Sequence, residues 1–189
     1  MNAGAFAPPR LFTVAEYYRR TEAGIFGEDD RVELIEGEVV AISPIGSRHA
    51  ACVERLGALI RRALSAEPIS VRFQNPVRLG EYSEPLPDVS VVRARDDFYA
   101  TAHPTAPDVV LLIEVADASL MYDRHTKIPL YARSGIAELW LVDLVNQVVE
   151  VHSAPAPAGY GQVRCFEEET PVTSAVLPQI GIAASEILG

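Results

Sequence analysis

Glu114 lies inside the run Val109-Val110-Leu111-Leu112-Ile113-Glu114-Val115-Ala116. An ionised carboxylate in such a setting is costly to desolvate unless a cation, a metal ion or hydrogen bonds meet it. It therefore reads as half of a buried ion pair or as a metal ligand, and the strand alone does not separate the two. Asp88 follows Pro87 and opens the alternating run Val89-Ser90-Val91-Val92. Taken alone, Pro-Asp is a turn cap. On a strand beside that of Glu114, it sets a second carboxylate near the first, the donor type that hard divalent cations such as Mg2+ and Mn2+ prefer. Lys127 follows Glu114 by 13 positions, in Asp123-Arg124-His125-Thr126-Lys127. By itself it is an exposed helix lysine or an i,i+4 partner of Asp123. On a helix packed back over the sheet, it projects toward the end of the Glu114 strand.

The elements that must hold these residues can be read from periodicity and punctuation. Thr13-Val14-Ala15-Glu16 is a capping box, which predicts a short helix to about Ala23. Val32–Ile35 and Glu38–Ile42 flank Glu36-Gly37, which predicts a hairpin. Val53, Leu56, Ile60 and Ala63 recur at spacings of three and four, an amphipathic helix over Ser47–Leu64. Strands follow at Ile69–Gln74, Val77–Leu79 and from Asp88 through Val92, then a polar loop over Arg93–Asp108. Val109–Ala116 reads as a strand buried on both faces. A helix is expected over Asp123–Ser134, ended by Gly135 in the left-handed region. Glu138–Asp143 and Gln147–His152 form a second hairpin-like pair, and its edge is a candidate dimer interface. Ala154–Ala158 reads as a loop, Gln162–Phe166 as a strand and Ala184–Leu188 as a terminal helical turn. This order around one sheet predicts a single α/β domain over residues 1–189, with residues 1–10 weakly patterned and flexible.

Composition narrows the function classes. Hydrophobic residues make up 49% of the chain, enough for a sizeable core. The longest apolar runs are strand-length, far short of the roughly 20 residues of a membrane-spanning helix. The N-terminal stretch has no apolar signal-peptide region, so a cytoplasmic protein is expected. Cys52 and Cys165 are isolated and form neither a CxxC pair nor a zinc spacing. A net charge of −10 argues against promiscuous binding of duplex nucleic acid, which needs excess Lys and Arg. It does not exclude a phosphate substrate bridged by a metal, because the ion brings its own positive charge. Arg55, Arg61, Arg62, Arg93 and Arg95 are either solvated charges or a local basic face.

The stretch from Ile113 through Arg133, with Gly135-Ile136 and Trp140-Leu141-Val142-Asp143, resembles the Uma family of bacterial candidate endonucleases. So do Val32-Glu33-Leu34-Ile35-Glu36-Gly37-Glu38, Ser43-Pro44, Arg48-His49 and Pro85-Leu86-Pro87-Asp88, in the same order along the chain from about Phe12 onward. The resemblance implies a restriction-endonuclease-like fold of the PD-(D/E)XK superfamily: a mixed central β-sheet flanked by helices, an α/β (α+β) protein. It implies Mg2+- or Mn2+-dependent hydrolysis of phosphodiester bonds in nucleic acid, DNA before RNA; a homodimer is expected because cutting two strands suits two sites related by a twofold axis. In this reading Asp88 and Glu114 are the motif's acids, and the carbonyl of Val115 is a further metal ligand. The superfamily's lysine position, two residues after the acid, holds Ala116 here, so the resemblance moves that role to Lys127. Glu33 is the additional acid of the site. His49 matches a family position, as a satisfied structural histidine or a residue behind the metal ligands. Two alternatives remain: a degenerate nuclease fold acting as a binding or regulatory module, and a metal-dependent hydrolase of a small phosphorylated substrate.

Overall fold

The computed structural model describes residues 10–27 and 30–189. Of the terminal segment expected to be flexible, residues 1–9 lie outside this range. Six strands form one sheet in the order β3-β4-β5-β6-β7-β8: Ile69–Phe73, Val89–Arg93, Val109–Ala116, Glu138–Asp143, Val148–Ala156 and Gly159–Phe166. Only β5 and β6 run parallel; the other neighbours are antiparallel. The sheet is therefore mixed, and its one parallel step requires a crossover, which the helical segment between β5 and β6 supplies.

Both faces of the sheet are covered. On one, Leu111, Ile113, Val115, Trp140 and Val142 pack against Leu56 and Ile60 of α2 (Ser47–Ala63), with the terminal helix α5 (Ala184–Leu188) in the same core. On the other, Leu112, Leu139 and Leu141 meet Ile128 and Tyr131 of the crossover. This accounts for the unbroken apolar run of β5, in which seven of eight residues are buried.

At the N-terminal side, α1 (Val14–Glu22) starts with the expected capping box: Thr13 Oγ1 accepts from Glu16 N at 3.2 Å, and Glu16 Oε2 accepts from Thr13 N at 3.1 Å. The hairpin β1 (Val32–Ile35) and β2 (Glu38–Ala41) turns at Glu36 and Gly37 with φ of 48° and 85°, the two positive values that a tight two-residue hairpin turn requires.

Several expectations are corrected. Val77–Leu79 is not a strand: Val77 N donates to Pro85 O and Leu79 N to Ser83 O, so the segment folds on its own loop, with one isolated bridge from Arg78 to Thr105. The Ala154–Ala158 loop is shorter than expected, because β7 continues to Ala156 and pairs Pro155 with Tyr160. The pair β6–β7 is no edge: β6 is buried throughout and lies between β5 and β7, while β8 closes the sheet. Two short strands escaped the sequence reading, β9 (Pro171–Thr173) and β10 (Gly181–Ala183), which pair with each other.

The crossover is also corrected. It begins at Leu120, with a turn of α-helix (α3, Leu120–Tyr122), widens to a π-helical turn over Asp123–Lys127, and continues as α4 (Ile128–Arg133). Ile128 N donates to Asp123 O, five residues back. Pro129 has no N–H to give the carbonyl four residues earlier, so an α-helical register is locally interrupted here. Gly135 ends the segment at φ 78°, as expected. No helix among the described residues is long and apolar enough to cross a membrane.

Candidate active site

The register of β4 and β5 sets Val89 opposite Ile113, which brings Asp88 level with Glu114. Asp88 N donates to Glu114 Oε2 at 3.4 Å, and Val115 N donates to Asp88 Oδ2 at 2.9 Å. The Asp88 carboxylate is held from two more sides, by His49 Nε2 at 3.0 Å and by Gln74 Nε2 at 3.2 Å. His49 stands in the first turn of α2. Gln74 follows β3 and keeps a left-handed backbone at φ 48°, uncommon outside glycine.

Glu33 enters from β1 and accepts Leu86 N at 3.0 Å. The π-helical turn puts Lys127 Nζ between two acids, 3.3 Å from Glu33 Oε2 and 3.3 Å from Glu114 Oε1. Glu114 Oε1 also accepts the hydroxyl of Tyr131 at 2.5 Å, and Tyr122 donates to Glu33 Oε1 at 3.4 Å. Glu33, Glu114, Asp123 and Lys127 are all buried. Glu33, Asp88, Glu114, Asp117 and Asp123 line one cavity of about 430 Å3, against Arg31 and Lys127 as permanent cations.

Burial divides the acids. It pushes the Glu114 carboxyl up to about 8; Lys127 counters this, while Asp88 and Asp123 add to it. Burial likewise raises Asp123. Asp88 is also desolvated, yet His49, the Val115 N–H and Lys127 carry it below the usual carboxylate range. Burial acts to deprotonate Lys127, but Glu114, Glu33, Asp123 and Asp88 outweigh it and raise the ammonium above the usual lysine range. The hydrogen bond to Asp88 raises His49 against the effect of burial.

The sequence-derived candidates Asp88, Glu114, Lys127, Glu33 and His49 thus meet around one cavity. Val115 meets them through its N–H. Ala116 is fully buried beside the Tyr131 face, and the ammonium that reaches Glu114 comes from the crossover. Sequence reasoning missed Asp123, Tyr131 and Gln74 as members of this group. The four-residue spacing of Asp123, Lys127 and Tyr131 was a signal for the first two; Gln74 carried none. The arginines singled out earlier do not gather here. Arg55 donates to Ile187 O and Leu188 O, Arg61 covers the Phe73 ring, and Arg95 pairs with Asp97.

Among the described residues, no three His, Cys, Asp or Glu side chains form a ready metal cage. Lys127, Tyr131, His49, Gln74 and the Val115 N–H occupy the carboxylate oxygens instead. The donor chemistry nevertheless suits a hard divalent cation: among the described residues five carboxylates share the cavity, and burial raises the pKa of one of them, Glu114.

A mixed sheet flanked by helices, with one acid just before a strand, a second within the neighbouring strand and a lysine from the crossover, is a restriction-endonuclease-like architecture. The chain belongs to the Uma2 family, "Putative restriction endonuclease", whose model matches residues 14–185. A crystal structure of a putative nuclease belonging to DUF820, from Anabaena variabilis ATCC 29413, has a similar fold, with a TM-score of 0.75 and 16% identity over 94% of this chain and 97% of that one. No curated protein matches the chain.

Proposed function

We propose that this protein is a divalent-metal-dependent endonuclease that hydrolyses phosphodiester bonds of nucleic acid, with DNA as the substrate. The observation that carries the reading is the meeting of Asp88, Glu114 and Lys127 from two strands and a crossover helix in one cavity. Family membership supports the reaction class.

We assign Asp88 and Glu114, with the carbonyl of Val115, as the residues that hold Mg2+ or Mn2+. Bound there, the ion supplies Lewis-acid activation of water and phosphate. The remaining work belongs to the chain. His49, Gln74 and the Val115 N–H fix the Asp88 carboxylate; Tyr131 fixes that of Glu114. Glu33 holds Lys127 as an ammonium, aimed at negative charge developing on the scissile phosphate rather than poised to remove a proton. A preorganised positive group in a buried site is worth roughly 3–4 kcal/mol of barrier. Arg31, at the rim, gives the polyanion its first contact in an otherwise acidic cavity.

The test sets supercoiled plasmid, single strands and mononucleotides side by side with Mn2+, using the wild type and Glu114→Ala. Cleavage of the polymers that is lost in Glu114→Ala is expected. Hydrolysis of mononucleotides alone would replace the reading with a small-substrate phosphohydrolase, which the net charge of −10 also suits. Full polymer cleavage by Glu114→Ala would remove the assigned site.

A further inference from the structure

A second cleft of about 440 Å3 lies apart from the acidic cavity and shares no lining residue with it. Its walls are Tyr18, Tyr99 and His103, with Arg78 beside them and the small residues Ala102 and Thr105 at the rim. The contrast in charge is sharp. Among the described residues, five carboxylates line the first cavity and none lines this one, in a chain of net charge −10.

The cleft is held rigidly. Buried Glu84 accepts from Tyr18 Oη at 2.5 Å and from Arg78 Nε at 2.8 Å, so one carboxylate behind the wall fixes both side chains. Arg78 N donates to Pro104 O at 2.8 Å, which ties the arginine to the loop that carries His103. The Tyr18 and His103 rings are near parallel, 22° apart with centroids separated by 6.4 Å. The opposite wall depends on two successive aromatic residues in the left-handed region, Phe98 at φ 50° and Tyr99 at φ 62°. Bulky side chains rarely adopt that conformation, and strain of this kind concentrates at functional sites. Its result here is that Tyr99 turns inward to back the cleft, buried with Arg72 and Arg95 over its ring and its hydroxyl donating to Arg93 O at 2.7 Å, while Phe98 is 78% exposed.

Two polar groups at the cleft lack hydrogen-bond partners among the described residues. The buried Nδ1 of His103 has none. The Arg78 guanidinium uses Nε on Glu84, and its terminal nitrogens make no hydrogen bond among the described residues. Flat rings together with an arginine and an imidazole suit a planar group that carries an anion. Base–aromatic stacking is the usual means of holding unpaired nucleic acid, and arginine is the usual partner of phosphate.

We propose that this cleft binds a nucleobase–phosphate unit, the base against the Tyr18 and His103 rings and the phosphate at Arg78. The choice of nucleic acid over other planar anions rests on the endonuclease reading. The ligand is either one nucleotide of an unpaired strand or a free nucleotide.

The experiment measures binding in the presence of a chelator, so that no cleavage occurs. A fluorescent single-stranded oligonucleotide is titrated with the wild type, His103→Ala and Ala102→Glu, and unlabelled dAMP and inorganic phosphate serve as competitors. Ala102 is exposed, so Ala102→Glu adds a carboxylate at the mouth without entering the buried core. Each variant is expected to bind roughly tenfold more weakly. Competition by dAMP identifies a free-nucleotide site, and its absence with strand binding intact identifies a strand site. Unchanged affinity in both variants, or displacement of the oligonucleotide by inorganic phosphate alone, overturns the proposal. Cleavage with Mn2+ is scored separately. A protein that binds through the cleft but does not cut leaves this inference standing and removes the endonuclease reading; cutting with unaltered binding in both variants does the reverse.

Discussion

Lys127 Nζ stands 3.3 Å from Glu114 Oε1, although 13 residues separate them in sequence. Because the same ammonium is 3.3 Å from Glu33, it joins the sheet, the N-terminal hairpin and the crossover. Lys127→Met is expected to lower Mn2+-dependent plasmid cleavage by about 100-fold or more, from the loss of a preorganised positive charge. It should also destabilise the fold by roughly 3–5 kcal/mol, since two buried acids lose their partner. Cleavage assays paired with thermal melts check both. A folded Lys127→Met that cuts at the wild-type rate would refute the role.

Glu114 makes stability depend on pH in a defined direction. Its folded value of about 8 lies above the ordinary 4.5, so the folded state binds the extra proton between these limits. Stability contributed by this group is therefore lost as pH rises from about 4.5 to 8, at up to about 1.4 kcal/mol per pH unit. Raised Asp123 and His49 act with the same sign, and lowered Asp88 with the opposite sign, its contribution being lost in acid. Glu114→Gln isolates one component: in metal-free melts from pH 5 to 9 its stability should fall less steeply than that of the wild type. Parallel curves would show that Glu114 does not titrate in this range.

Gln74 separates backbone strain from side-chain function. At φ 48°, glycine fits better than any other residue, while only the glutamine amide reaches Asp88. Gln74→Gly and Gln74→Ala should both lose about tenfold in cleavage, the worth of one hydrogen bond to a charged group. Gln74→Gly should be more stable than Gln74→Ala by about 1 kcal/mol. Equal stability of the two would mean that the left-handed conformation carries no cost here; wild-type activity in both would dismiss the amide.

Gly37 tests the hairpin that carries Glu33. Its φ is 85°, and a Cβ there would stand 2.6 Å from Leu11 Cβ and 3.1 Å from Leu11 Cα. Gly37→Ala is expected to destabilise the protein by about 2 kcal/mol, combining the left-handed cost with a close approach to backbone. Denaturant titration measures it, and a change below about 0.5 kcal/mol would show that the Leu11 segment moves aside freely.

Local pattern accounts for most elements seen in the fold. The capping box at Thr13, the two-residue turn at Glu36-Gly37, the amphipathic period of α2 and the unbroken apolar run of β5 are each short-range signals, and each produced the expected element. The errors fall where a longer-range contact or a change of helical register decides. Val77–Leu79 has strand-like residues but closes on Ser83 and Pro85. Asp123–Lys127 has helical residues but widens to a π-turn, because Pro129 withholds a hydrogen bond and both Asp123 and Lys127 are buried at the site.

By itself, the sequence determined that Glu114 needed a buried partner, because a carboxylate inside an apolar strand has no other means of remaining there. It also determined, through ordered blocks of resemblance, the restriction-endonuclease-like fold. It did not determine which group meets Glu114, since Asp88 and Lys127 have bland local readings, the spacing of Tyr131 from Lys127 names no partner, and Gln74 gave no warning. That depended on the antiparallel register that sets Val89 opposite Ile113 and on the crossover that returns Lys127 and Tyr131 over the sheet. Register and crossover are relations between distant segments, fixed by packing on both faces of the sheet, and no local pattern encodes them.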